Sequence, residues 1–246
     1  MEQKNYKFTI QYDGRNFHGW QFQLSTRTVQ GEIEKALSSL FPDEVIKLIG
    51  AGRTDSGVHA VGQVANINLP NKMSTSELRS ALNGNLDRDL RINLVEVVKK
   101  DFSARFSAVS REYEYQICKN YSTIKRNYSA YLKYKVEFEL LEKCSKKIIG
   151  KHDFSSFCKS NSEVKNKLCV IDFAEWEELD DMIIFRVRAN RFLHHMVRFL
   201  VGTMLEVARK RYSLEDFVNL LENRDTSVNV MCAPAQGLYL KNVSYN

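Results

Sequence analysis

Gly50-Ala-Gly-Arg-Thr-Asp-Ser-Gly-Val-His-Ala-Val-Gly62 is a glycine-rich loop that follows an apolar stretch at about 44–50 and leads into another at about 61–69, each reading as a strand. Four of the chain's 11 glycines fall in these 13 residues. Glycine serves where backbone takes positive φ or approaches another group closely, so such a loop displays its few polar side chains in a fixed arrangement. It lacks the G-K-[ST] of a P-loop, and G-x-G-x-x-Asp is not the dinucleotide fingerprint. Arg53, Thr54 and Asp55 stand between the glycines. A carboxylate at a rigid turn beside an arginine stays ionised, because a neighbouring cation favours the charged form. An ionised, positioned Asp can be a nucleophile. The alternative is an Asp that caps the turn.

Outward from the loop, patterning is clear. Tyr6, Phe8, Ile10 and Tyr12 alternate with polar residues, as in a strand with one buried face. Thr28 to Phe41 carries Val29, Ile33, Leu37 and Leu40 on one helical stripe, and Ser74-Thr-Ser-Glu77 resembles a capping box. Strands are predicted at about 90–99, Arg111–Lys119, Lys133–Phe138, Cys169–Glu178 and Met182–Asn190, with helices near 139–149, 194–209 and 213–223. The chain's 246 residues make one large domain or two modest ones. A seam near Asp101 to Ala108 divides it into an amino-terminal half, 1–106, and a carboxy-terminal half, 107–246. Strands both paired in hairpins and separated by helices predict α+β, with antiparallel sheet.

Composition excludes several classes. With 43% hydrophobic and 27% charged residues the chain is neither disordered nor collagenous. The longest apolar run, Phe199 to Ala208, is too short for a span and contains Glu206, and Met1 to Ile10 alternates instead of resembling a signal peptide. The five cysteines form no C-x-x-C and predict reduced thiols in a cytoplasmic protein. No H-x-x-x-H accompanies the His194-His195 pair, so no metal site is expected. Net charge is +6, unevenly spread. Asp172 to Asp181 is acidic, whereas Arg186 to Arg211 and Lys143 to Lys167 are basic. The basic runs read either as a surface for a polyanion or as solvated faces.

Three further places carry candidate chemistry. In Arg111-Glu-Tyr-Glu-Tyr-Gln-Ile, Tyr113, Tyr115 and Ile117 share one strand face, the usual mark of a core stripe. Met182 to Asn190 turns Phe185, Val187 and Ala189 inward and Arg186, Arg188 and Asn190 the other way. His194 to Ala208 reads as a helix with Val197, Leu200, Val201, Met204 and Ala208 buried, and Arg198 one turn after His194 on the same side. An arginine beside so apolar a run invites a carboxylate partner. For the two histidines the expectation is packing or capping.

Gly50-Ala-Gly-Arg-Thr-Asp-Ser-Gly-Val-His-Ala resembles the signature loop of the TruA family of tRNA pseudouridine synthases. Tyr12-Asp-Gly, Gly19-Trp-Gln-Phe-Gln and Thr28-Val-Gln are similar to its amino-terminal pattern. Phe102-Ser-Ala-Arg-Phe-Ser-Ala and Arg111-x-Tyr-x-Tyr resemble its middle block. Asn190-Arg-Phe-Leu-His-His-Met-Val-Arg and Ala233-Pro-Ala-Gln-Gly-Leu-Tyr-Leu resemble its late blocks. All occur in family order across nearly the whole chain.

The resemblance implies two similar halves with a merged, mainly antiparallel sheet flanked by helices and a basic cleft between them. It implies a cytoplasmic homodimer that needs no cofactor or metal and isomerises uridine to pseudouridine in the anticodon arm of tRNA, at nucleotides 38, 39 and 40. By position it assigns the nucleophile to Asp55, an active-site tyrosine to Tyr113, the arginine before the aspartate to Arg53 and its pairing arginine to Arg198. The rearrangement oxidises nothing and transfers no outside group, which agrees with the expected absence of a cofactor. Departures from the pattern are Ser56 for alanine, Phe17 for tyrosine, Phe199 for asparagine, and Ser162 to Val170, which lacks a Thr/Arg pairing. Two other functions fit parts of the pattern. A non-catalytic tRNA-binding protein would not need Asp55, Tyr113 and Arg198 intact. An Asp-nucleophile phosphotransferase would need a second acid beside Asp55, and Thr54-Asp55-Ser56-Gly57 has none.

Overall fold

The computed structural model describes residues 2–159, 165–222 and 230–246, so residues 162–164 of the departing stretch and residue 223 of the last predicted helix lie outside the described residues. The fold is α+β, a large and mainly antiparallel sheet flanked by helices. Two compact units make it up: Met1–Val109 with Leu240–Asn246, and Ser110–Tyr239.

The first unit begins with β1 (Gln3–Tyr12), which buries Tyr6, Phe8, Ile10 and Tyr12 as the alternation predicts. Each such side chain removed from water contributes roughly 1.5–3 kcal/mol. Helix α1 (Val29–Leu40) is capped by Thr28, whose hydroxyl accepts the Gly31 N–H at 3.2 Å, and it buries Val29, Ile33, Ala36 and Leu37. Leu40, predicted on the stripe, is only half-buried. Of the strand predicted at 44–50, only β2 (Ile49–Gly50) forms. The reason is local: Glu34 of α1 accepts the Leu48 N–H at 3.0 Å and Gln30 donates to the Leu48 carbonyl at 3.3 Å, so helix side chains satisfy backbone that a ladder would otherwise use. After β3 (His59–Pro70), the capping box forms in both directions at Ser74 and Glu77 and starts α2 (Thr75–Asn85). Strand β4 (Leu90–Val98) pairs with β1.

The second unit holds β5 (Ala108–Cys118), β6 (Ala130–Tyr131), α3 (Phe138–Lys147), β7 (Gly150–Asp153), β8 (Leu168–Glu178), β9 (Met182–Ala189), α4 (Met196–Ala208) and α5 (Leu214–Glu222). The strand predicted at Lys133–Phe138 does not form, and Phe138 instead opens α3. Its alternation is used otherwise: Arg209 covers the Tyr134 ring at 4.5 Å, and the Glu137 N–H donates to the Ala208 carbonyl at 2.8 Å. The last strand, β10 (Leu238–Tyr245), has its residues from Leu240 onward in the first unit. Strand order is β4-β1-β3-β10 with β2 on β3 in the first unit, and β5-β9-β8-β7 with β6 on β5 in the second.

The oppositely charged runs meet across the β8–β9 hairpin. Arg186 pairs with Glu177 at 2.6 Å and with the buried Glu114 of β5 at 3.1 Å, and Arg188 pairs with Asp172 at 2.9 Å. Four of the seven bases between Arg186 and Arg211 are held in this way, since Arg209 and Lys210 pair with Glu206 and Glu137. Most bases of the run are therefore paired with acids of the same chain. Helix α4 is buried almost throughout, and its one carboxylate, Glu206, is held by Arg209 at 2.5 Å.

Candidate active site

The Asp55 loop is fixed from below and from both ends. The Ala51 N–H donates to the Val64 carbonyl at 2.8 Å, and the Gln63 amide donates to the Gly52 carbonyl at 3.0 Å. Thr54 is buried, sharing a 2.8 Å hydrogen bond between its hydroxyl and the Tyr12 phenol, and its carbonyl accepts the Trp20 N–H at 3.1 Å. Burial pushes the Tyr12 phenol well up, so it remains protonated. Beyond Asp55, Gly57 adopts φ +79°, a conformation that side chains resist, and the Val58 N–H closes the turn onto the Asp55 carbonyl at 3.1 Å. Gly19 approaches so closely that a Cβ there would lie 2.6 Å from the Thr54 carbonyl oxygen. His59, buried at the start of β3, accepts the Gly14 N–H at 3.1 Å and ties the loop to the Tyr12-Asp-Gly turn. The result is a buried Thr54 and Val58 flanking a half-buried Asp55, with Arg53 exposed.

One departure from the family pattern, Ser56, has a structural explanation. Ser56 donates its hydroxyl to the Phe17 carbonyl at 3.2 Å, an anchor alanine cannot make. The buried Phe17 ring lies beneath the Arg27 guanidinium at 4.2 Å.

The second unit holds the other two candidates. Tyr113 on β5 is opposite Val187 of β9, is 8% exposed, and meets Phe192 edge-to-face at 5.1 Å. Arg198 lies in the first turn of α4 and is half-buried. Its Nε donates to the Ala233 carbonyl at 2.8 Å, and the Ala233 N–H donates back to the Arg198 carbonyl at 3.0 Å. This two-way clip sets the plane of the guanidinium. Tyr115, fully buried two residues from Tyr113, donates its hydroxyl to the Pro234 carbonyl at 2.8 Å and steadies the same segment.

The helix start is a correction. His194 does not sit on α4 one turn before Arg198: residues 194–195 form a turn, and the helix begins at Met196. His195 takes the left-handed conformation at φ 65° and makes no side-chain cap. The two imidazoles lie 4.3 Å apart, and His195 approaches Phe199 at 5.8 Å. His195 therefore does not cap α4 through its side chain. The structure places Asp55 and Arg53 on one loop of the first unit, and Tyr113 and Arg198 in the second unit. Roles for Thr54, Tyr115 and Ala233 were not legible from type or spacing. Their blocks are visible in the sequence, but Thr54 is 42 residues from Tyr12 and Tyr115 is 119 from Pro234, and nothing local announces such pairs.

Comparison with known proteins agrees with the sequence blocks. The sequence model of the family described as tRNA pseudouridine synthase matches residues 9–107 and 144–246. The chain is 41% identical to tRNA pseudouridine synthase A of Finegoldia magna, covering 98% of this chain and 100% of that protein. It is 39% identical to tRNA pseudouridine synthase A of Bacillus pumilus and 38% identical to that of Bacillus subtilis, each over 98% of both chains. Among solved structures, a Cbf5-Nop10-Gar1 complex is similar at a TM-score of 0.35 and 12% identity, over 95% of this chain and 57% of that one, a likeness too slight to carry weight. The chain belongs to the family of tRNA pseudouridine synthases, and with it to the isomerases.

Proposed function

We propose that this chain converts uridine to pseudouridine at nucleotides 38, 39 and 40 in the anticodon arm of tRNA, with Asp55 as nucleophile. The observation that carries the reading is the anchoring of Asp55: Thr54 before it and Val58 beyond it are buried and hydrogen-bonded, and the carboxylate between them stays half-open. A nucleophile held in that way loses little freedom on reaction. The half built from residues 1–106 supplies this loop, and the half built from 107–246 supplies Tyr113 and Arg198.

The reaction breaks the N1–C1′ bond, turns the uracil, joins C5 to C1′ and removes the C5 proton. Base and sugar stay within one nucleotide, and the displaced hydrogen leaves as a proton, so the sequence of steps is redox-neutral. Asp55 supplies the attacking carboxylate. Arg198, oriented by Ala233, is the arginine that pairs with that carboxylate and aims it. Tyr113 stacks on the uracil ring and relays the C5 proton. Arg53, exposed on the loop, fills the space left when the nucleotide leaves its stack. The enzyme acts as a cytoplasmic homodimer; the thiols of Cys118, Cys144, Cys158 and Cys169, buried without disulfides, favour a reducing compartment.

Asp55→Asn tests the assignment. Pseudouridine formation should vanish while tRNA binding persists, and appreciable turnover by this variant places the nucleophile elsewhere. Release of tritium from C5-labelled tRNA by the parent protein separates an enzyme from a protein that only binds tRNA.

A further inference from the structure

A groove between α2 and β4 in the first unit takes no part in the Asp55 loop. It is lined by Arg79, Asn83 and Gly84 of α2 and by Arg91 and Asn93 of β4, and it encloses about 480 Å³. Asn83 clips the two elements together: its amide donates to the Ile92 carbonyl at 2.9 Å and its carbonyl accepts the Ile92 N–H at 2.9 Å. Arg79 adds a bond to the Asn93 carbonyl at 3.3 Å. Ile92 is buried, so strand alternation turns Arg91 and Asn93 outward together. The walls are held before any ligand arrives.

The charge of the groove is uncompensated. Among the described residues no carboxylate lines it, and neither Arg79 nor Arg91 forms an ion pair. Asp87 and Asp89, close to Arg91 in the chain, are both taken by Arg27, at 2.9 and 2.7 Å. The Arg27 hydrogen bond also holds the Asp89 carboxyl below the usual carboxylate range. Glu77, close to Arg79, is spent on the Ser74 cap at 2.8 Å. Arg186, Arg188 and Arg209, by contrast, all have acids. Two guanidiniums facing one cavity without an acid make a locally positive potential that a bound anion relieves. Their planar forks match phosphate oxygens in pairs.

Gly84 gives a second, independent indication. A Cβ there would meet nothing within 4 Å, so the protein's own packing does not require glycine. Glycine in a helix is also less favourable than almost any other residue. A side chain at this point would project into the open space of the groove.

We propose that the groove between α2 and β4 grips a backbone phosphate of the RNA substrate between Arg79 and Arg91, separately from the Asp55 loop. The proposal rests on RNA being the substrate. The test uses the full-length protein and an unmodified tRNA transcript, with binding measured across a salt series and turnover measured separately. Arg79→Ala/Arg91→Ala should weaken binding on the order of tenfold and flatten the slope of log affinity against log salt by about 0.7–0.9, the amount that one lost phosphate contact removes. KM should rise by the same factor with kcat unchanged. Gly84→Glu, which sets a carboxylate in the groove, should weaken binding similarly while leaving the melting temperature equal or higher. A double variant with the parent's salt slope and KM overturns the proposal, as does a Gly84→Glu protein that binds tRNA like the parent. So does arginine-dependent binding of inorganic phosphate with no change in the tRNA slope, which would assign the groove to a small anion. A parent protein that binds tRNA with a steep slope yet forms no pseudouridine would sink the functional reading and leave this one standing.

Discussion

Thr54→Val removes one hydroxyl from the floor beneath Asp55 and keeps the shape of the side chain. The lost group shares a 2.8 Å hydrogen bond with the Tyr12 phenol, and the two residues are 7% and 3% exposed, so water cannot take its place. A buried polar group left short of a partner costs about 1–3 kcal/mol. The Gln63 side chain is a second hydrogen-bond partner of Tyr12, which puts the loss at the lower end, about 1–1.5 kcal/mol. For a chain of this length that corresponds to roughly 2–6 °C in Tm. The phenol cannot escape by ionising, because burial keeps it protonated. The larger effect is on rate. With its floor bond gone the turn relaxes, and a displacement near 1 Å at a reacting group costs about a hundredfold. Thermal unfolding and single-turnover pseudouridine formation in tRNA measure the two effects independently. Thr54→Ser, which keeps the hydroxyl, should stay within a few-fold of the parent rate. A valine variant with lowered Tm and parental turnover would refute the positioning argument, and one with the parent's Tm would refute the hydrogen-bond argument.

Tyr115→Phe keeps the buried ring and removes the donor to Pro234, so about 1 kcal/mol of stability should go. Because that segment orients Arg198, kcat should fall while KM for tRNA holds; a KM effect alone would make Tyr115 a packing residue only. Glu206→Ala leaves Arg209 almost buried without its acid and should cost about 3 kcal/mol or more, read by denaturant unfolding, with Glu206→Gln milder. Burial pushes the Cys144 and Cys169 thiols up to about 12 and about 11, against an ordinary value of 9.0. Above pH 9 the unfolded chain releases these protons before the folded one does, so this stabilisation is full below pH 9 and is lost as pH rises toward 12. Denaturant midpoints across that range should fall, and less steeply in Cys144→Ala. At neutral pH a thiol reagent should label the exposed Cys232 first and the four buried thiols only on unfolding.

Local pattern determined much of this protein. The alternation at Tyr6 to Tyr12, the Thr28 cap, the Ser74–Glu77 box and the inward Phe185, Val187 and Ala189 all stand where spacing put them, because each depends on neighbours within a turn or on which face is buried. The family blocks, in order along the chain, likewise needed no coordinates. Other features depend on what lies across the fold, which periodicity does not encode. The alternation at Lys133–Phe138 reads as a strand, yet Tyr134 goes under Arg209 and Glu137 bonds the end of α4. Leu238 to Tyr245 shows no regular alternation, and only tertiary pairing takes its residues from Leu240 onward to a place beside β3 in the first unit. The basic run after Arg186 has the composition of an RNA surface, and only the β8–β9 hairpin reveals that Arg186 and Arg188 serve Glu177 and Asp172. The rigidity of the Asp55 turn comes from Tyr12, Phe17 and Trp20, tens of residues earlier in the chain. A sequence fixes which faces are apolar and which residues can cap or turn; partners distant along the chain are chosen by packing, because hydrogen bonds and ion pairs act over a few ångströms of space.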